Sequence, residues 1–506
     1  GGGFAWIAEA RRCAILRPDF LAGATRNAFT GSVTPPPEPG AAWAIDGGLT
    51  ERAIYGPERP GDAPIELTRG RLALRAAPAD KRILIESFEA NGPEADVRIA
   101  GEVTWSAGPR VKLGIDTGKM PARAVVRLWP GFIAPNVRNW VFANVKGGVV
   151  EKGRVDLDLD GRALRAMRAD RPLPTDSALA IDFAIADGQV EFLAGAPPLR
   201  GVSGRGHVTG HSTTLSIPRA YVETRPGVRL EMADAKFSVP DTRQKPSPAA
   251  LDTRVAGNID AVAHLLATPA LKPYATIPLD PATIKGQIEG RFGLTMLLGK
   301  GAGPDSTHMN IVARVNNFTA QKLIGKEALE NANLTVAVDP SGVSAAGQGK
   351  VFGAAAQIEM RKPADRVGEA TIALTLDDGL RAKHGFNVPG VSGPVGVKLT
   401  SPLGGKDKPR AQVEMDLSRA AIEGLAPGFS KPAGRPARLT FTVLPGDGPI
   451  SLDNLTFDGG GASARGSVDL AADGSFREAK LTQVKLSPSD DMRIDVTRAG
   501  AGLKVS

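Results

Sequence analysis

The chain is short of the residues that usually carry covalent staples or chemistry. Its 506 residues include one cysteine, Cys13, so no disulfide can form within the chain. That leaves the compartment open, because a chain with a large core needs no such staple. The five histidines (His207, His211, His264, His308 and His384) are scattered. Only His207 and His211 are close in sequence. On a strand, a spacing of four puts them on one face about 13 Å apart, too far to share a metal. Aromatics make up 5% of the chain, and no aromatic platform accompanies the acidic pairs Asp377–Asp378 and Asp490–Asp491, which read as turn residues. No G-x-S-x-G is present, and no apolar run reaches the ~18 residues of a membrane-spanning helix.

Charge of one sign is also in short supply. There are 62 basic and 54 acidic residues, giving a net charge of +8 spread along the chain. Without a basic block or interleaved aromatics, no nucleic-acid partner is expected. A diffuse positive surface is compatible with an anionic membrane surface or with plain solvation. The chain begins with "GGGFAWIAEARRC", which we read as the start of a fragment whose signal or anchor lies upstream.

Glycine (60) and proline (40), by contrast, are abundant, which suits many short strands joined by turns. Residues 1–50 show no clean period and include "TPPPEPG" (34–40), so an irregular N-terminal segment is expected there. From about residue 51 apolar and polar residues alternate. The strands expected from this include 95–105, 177–195, 228–239, 369–378, 411–418 and 437–445. We divide them into a first β region, 51–255, with a helical insert near 122–145, and a second, 256–506.

Helical spacing is rare. Val125, Leu128, Trp129 and Phe132 form one stripe, broken by Pro130; Val137, Trp140, Val141 and Val145 form another. Ile259, Val262, Leu265 and Leu266 form a third, stopped by Pro269.

A glycine pattern repeats. "GRGHVTG" (204–210) and "GQGKVFG" (347–353) share G-x-G-x-V-x-G, and 460–474 is a looser relative. The third glycine comes one place late for a dinucleotide fingerprint, and strand rather than helix follows. Glycines at period two let a backbone, a bulky neighbour or a ligand lie close. Repetition of this kind predicts a stacked, elongated sheet.

One stretch resembles a calcium loop. In "GRVDLDLDGRALRAM" (153–167), Asp156, Asp158, Asp160 and Gly161 follow D-x-D-x-D-G. The twelfth position, which should carry a bidentate glutamate, is Met167, and Val155, Leu157 and Leu159 alternate with the carboxylates. We therefore expect a strand with its three aspartates in solvent, and no metal site.

The segment "RLWPGFIAPNVRNWVFANVKGGVVEKGRVDLDLDG" (127–161) resembles the AsmA-like superfamily of bacterial envelope proteins, in particular its YhdP-like branch. Trp129, Pro130, Pro135, Arg138, Trp140, Gly147 and Gly148 match the pattern; 197–210, 328–360 and 413–443 resemble later units, with Phe429 where the family usually has Trp. The resemblance implies a mostly β fold: an elongated, curled antiparallel sheet of repeated strand units with a hydrophobic groove and a few short helices. It also implies a periplasmic, non-enzymatic protein, tethered to the inner membrane by a segment absent from this chain. Such a protein would carry phospholipid acyl chains between inner and outer membranes, with membrane proteins as partners at each end and no cofactor. An envelope assembly factor or adaptor is the alternative. By alternation, Leu439, Phe441 and Val443 share the face that would line the groove, while Arg438, Thr440 and Thr442 share the other. No catalytic residue is expected.

Overall fold

The computed structural model describes residues 8–13, 25–26, 29–49, 52–55, 64–130, 133–169, 171–272, 275, 279–299, 306–324, 327–385, 388–403, 410–426, 428–443, 450–471, 475–487, 489–499 and 502–506. It is mostly β, 65% strand and 10% helix, with a long antiparallel sheet that does not close. Most strands follow one another as hairpins, each pairing with the next, so repeated strand units build the sheet. Five short helices occur among the described residues: α1 (Ala122–Leu128), α2 (Pro135–Asn144), α3 (Gly161–Arg168), α4 (Ile259–Leu266) and α5 (Asp378–Lys383). None is long and apolar enough to cross a membrane. The chain divides into two compact units, Gly1–Val255 with Phe292–His308, and Ala256–Arg291 with Met309–Ser506.

In the first unit the sheet has two unlike faces. Ile99, Ile115, Val155, Ile181 and Val208 are register partners on successive strands, so they form one apolar row. On the other face Arg71, Glu89, Arg98, Asp116, Arg154 and Asp182 alternate in sign from strand to strand. Arg98 pairs with Glu89 at 3.2 Å, and Arg154 with Asp116 at 3.2 Å. Opposite charges facing each other favour this register, and a one-residue slip would turn the apolar row into water. A bulge between Val150 and Lys152 keeps Val150 on the apolar side, where its partner is Ile185.

Both strand ends of this apolar face are covered. At one end α3 lays Ala163 and Met167 over Leu157, Leu159 and Leu179. At the other, Ala53, Ile65 and Leu67 pack with Ala90, Ala95 and Met120, and with Ala124 of α1.

The repeated glycines are points of close approach. A Cβ on Gly206 would lie 2.1 Å from Cζ of Phe183, whose ring covers that glycine. Gly204 and Gly347 instead face backbone: a Cβ would meet the Ser216 carbonyl at 2.3 Å and the Asn333 carbonyl at 2.0 Å.

Three expectations need correction. Residues 29–49 are not irregular throughout: Phe29–Thr34 and Trp43–Leu49 pair as strands. Their glycines mask the alternation, and a Cβ on Gly31 would strike the Asp46 carbonyl at 2.8 Å. Asp160 is not a strand residue but the N-cap of α3, accepting from the N–H groups of Arg162 (2.9 Å) and Ala163 (2.8 Å). Asp377 and Asp378 belong to a helix rather than a turn: Asp377 caps α5 through the Leu380 N–H at 2.8 Å, and Asp378 is its first residue.

Candidate functional site

The strand Ala437–Val443 sits in the middle of the second unit's sheet, between Ala411–Asp416 and Ile450–Gly459. Leu439, Phe441 and Val443 are each half-buried. Their register partners extend the same face into three apolar rows. The first runs Leu374, Val397, Met415, Leu439, Phe457 and Ala464. The second runs Ile358, Ile372, Leu399, Val413 and Phe441. The third runs Ala411, Val443, Leu452, Val468, Ala479 and Val496. Asn454, at φ 55°, lies at the register shift opposite Phe441, where the facing strand takes an extra residue.

The reverse face is polar. Arg438 stands opposite Asp416 and Asp458, and its guanidinium pairs with Glu414 at 2.5 Å. Thr440 faces Glu414 and Thr456, and the Thr442 hydroxyl donates to the Asp453 carbonyl at 3.1 Å. The two sets distinguished by alternation thus lie on opposite faces.

A small lid covers one edge of the apolar rows. Val391–Ser392, Ala421–Ala426 and Phe429–Lys431 form a separate three-stranded sheet. Its Ile422, with Leu417 and Ala420, is buried against Val395 and Ala437; Met415, Leu439 and Phe457 pack on that cluster. Phe429 meets Phe457 edge-on, with ring centroids 6.1 Å apart. Leu439 is therefore partly roofed, whereas Phe441 and Val443 are not part of the cluster.

Two buried cations hold the lid. Lys431 is completely buried, and its ammonium donates to the carbonyls of Ala420 (2.5 Å), Pro432 (3.2 Å) and Ser418 (3.5 Å). Burial pushes its pKa down, and Asp416 acts in the opposite sense. Arg381 of α5, 2% exposed, donates to the carbonyls of Gly393 (2.5 Å) and Val391 (3.1 Å) and pairs with Asp378. A lone lysine or arginine gave no sequence signal for this role, because the carbonyl acceptors belong to distant turns.

The other polar candidates do not assemble into a site. Asp156 and Asp158 are engaged by Arg154 (2.8 Å) and Arg110 (2.7 Å), and the Arg110 guanidinium holds the Asp158 carboxyl below the usual range. His207 bonds Asp182 at 2.7 Å, while His211 reaches the Leu173 carbonyl at 2.9 Å, so they serve different neighbours. Asp490 accepts from the Ser487 N–H at 2.7 Å, and Asp491 from Gln483 at 3.2 Å. Among the described residues no three His, Cys, Asp or Glu side chains converge as metal ligands would. A hollow of about 570 Å³ beside α5, lined by Ala354, Ala355, Gln357, Ala373, Leu374, Thr375 and Leu380, contains no titratable group. The chemistry available at the candidate site is apolar contact. No family model, curated protein or solved structure matches the chain.

Proposed function

We propose that the apolar sheet face around Phe441 and Val443 is a groove that binds or conducts phospholipid acyl chains. The observation that carries this reading is the stretch of the three apolar rows where Leu399, Met415, Leu439, Phe441, Val443, Leu452, Phe457 and Val468 stay half-exposed, although Leu374, Ile372 and Val413 beside them are buried, on a sheet whose reverse face is mainly polar around Arg438, Thr440 and Thr442. Soluble chains rarely leave a contiguous apolar face in water, since each Å² costs about 25 cal/mol. Acyl chains would cover it without needing a hydrogen bond from the wall. The lid and the paired charges outside leave one side of the sheet for lipid and the other for water.

The resemblance to AsmA-like envelope proteins, in particular the YhdP-like branch, supports the same reading. It adds a periplasmic location, a tether to the inner membrane through a segment outside this chain, and phospholipid passage toward the outer membrane. It also adds membrane-protein partners at either end, and a role in outer-membrane biogenesis without enzymatic chemistry. The test is to purify the chain, extract it with organic solvent and analyse the extract by mass spectrometry. Co-purified phospholipid in near-stoichiometric amount is expected. A lipid-free chain that captures an envelope protein would replace the groove with an adaptor function.

A further inference from the structure

We infer that the α1–α2 hairpin is a docking surface for an anionic phospholipid bilayer. This stands whether or not the sheet face carries lipid. α2 is oriented the wrong way for a helix that packs on a core. Its buried residue is Arg138, while Val137 and Trp140 are 53% and 50% exposed. A core-facing helix of this kind would bury its apolar stripe instead.

The orientation is fixed by specific bonds. Arg138 Nε donates to the Trp129 carbonyl at 2.9 Å, and its guanidinium lies over the Phe142 ring at 5.6 Å. The Trp129 indole N–H donates to the Ile133 carbonyl at 2.8 Å. These contacts spend one tryptophan and one arginine on holding the hairpin, and leave the second tryptophan facing water. A third apolar side chain, Phe192, is 47% exposed two residues beyond the strand Leu179–Val190. The intervening Glu191 donates its N–H to the Asn144 carbonyl at the end of α2.

Charge selects the occupant. Between positions 119 and 152 the chain has Lys119, Arg123, Arg127, Arg138, Lys146 and Lys152 against a single acid, Glu151. The whole chain is nearly balanced, 62 to 54, so this segment is its exception. Arg127 and Arg138 are buried, Lys119 pairs with Glu151 at 3.3 Å and Lys146 with Glu191 at 3.1 Å, while Lys119 and Lys152 are exposed, so the basic groups still outnumber the acidic ones around the hairpin. Basic groups around a membrane-facing segment are drawn to anionic lipid, and an indole favours the interfacial layer. A ten-residue helix is only about 15 Å long, so it would lie on the surface rather than cross. Two side chains on so short a helix also fall well below the ~1,000 Å² expected of a stable protein interface.

The experiment is flotation of the full chain with vesicles of phosphatidylcholine alone and of phosphatidylcholine mixed with phosphatidylglycerol. Wild type should float with the mixed vesicles, less so in high salt, and poorly with phosphatidylcholine alone. The double variant Val137→Asn, Trp140→Ser should bind the mixed vesicles about tenfold more weakly, a change of ~1.4 kcal/mol. Its circular dichroism and melting should match wild type, since both side chains are exposed. Phe441→Asp, which alters the sheet face, should leave vesicle binding unchanged. Failure to float with the mixed vesicles, equal binding to both vesicle types, or full binding by the double variant would each overturn the proposal. So would loss of binding in Phe441→Asp with retention in the double variant.

Discussion

Replacing Lys431 with methionine should loosen the lid without unfolding the sheet beneath it. Methionine nearly preserves length and volume, so little cavity forms. The Ala420 carbonyl, however, stays buried after losing its donor at 2.5 Å, and the partly buried Pro432 carbonyl loses one at 3.2 Å. Each lost bond to a charged donor costs about 1.5–3 kcal/mol, roughly 3–6 for the two. Burying an ammonium itself costs several kcal/mol, and that penalty disappears with the charge. We expect the first effect to win by about 2 kcal/mol, because only one partner is removed; that is ~30-fold in the opening equilibrium.

Hydrogen exchange read by mass spectrometry is the assay. Ala421–Ala426 and Phe429–Lys431 should exchange faster by about that factor, while Ala437–Val443 should keep its protection. Lysine 431 also gives the lid a pH dependence of definite sign. Burial lowers its folded pKa. The unfolded chain therefore holds more protons between that value and the ordinary ~10.4, and lid stability rises with pH across the window. Lys431→Met should abolish this rise. Unchanged or slower exchange in the variant, or acceleration spread equally over the sheet, would refute the assignment of Lys431 as the clamp.

Three further outcomes follow from the fold. Calcium titration by calorimetry should show no binding at micromolar concentration, since Asp156 and Asp158 are paired with arginines and Asp160 caps α3; a 1:1 site would contradict this. Gly206→Val should destabilise the first unit by about 1–3 kcal/mol or more in a denaturant melt, because Phe183 already occupies the space; an unchanged midpoint would remove the close-approach account. The Arg162 and Ala163 N–H groups hold the Asp160 carboxyl below its usual range, so its cap acts above the unfolded value of ~3.9 and is lost as pH falls through the folded value. The melting difference between wild type and Asp160→Ala should therefore shrink in acid, and a difference constant with pH would sink that reading.

Alternation was enough to find strands such as 95–105, 228–239 and 437–443 and to sort Leu439, Phe441 and Val443 from Arg438, Thr440 and Thr442, because period two is a local property of the chain; it failed at 29–49, where glycines interrupt it. The helices at 122–145 and 259–268 were legible for the same reason, from spacing and from prolines. α3 and α5 were not, because their starts are aspartates that also suit strands and turns; only the orphan N–H groups they cap decide between the roles. The exposure of Val137 and Trp140 ran against their helical stripe, since what fixes α2 is a contact from Arg138 to a carbonyl nine residues back. The lid over Leu439 could not be read either. Its hairpin Ala421–Ala426 and Phe429–Lys431 is completed by the distant strand Val391–Ser392, and the cations that hold it act on backbone groups that every sequence has.

The central claim is that one face of the second unit's sheet meets lipid. Its most direct test is photocrosslinking in cells or lipid extracts, with a photoreactive residue placed in turn at 438 through 443. Positions 441 and 443 should label strongly with phospholipid, 439 less because the lid packs on it, and 438, 440 and 442 hardly at all. Equal labelling of the two faces, or none on either, would contradict the account.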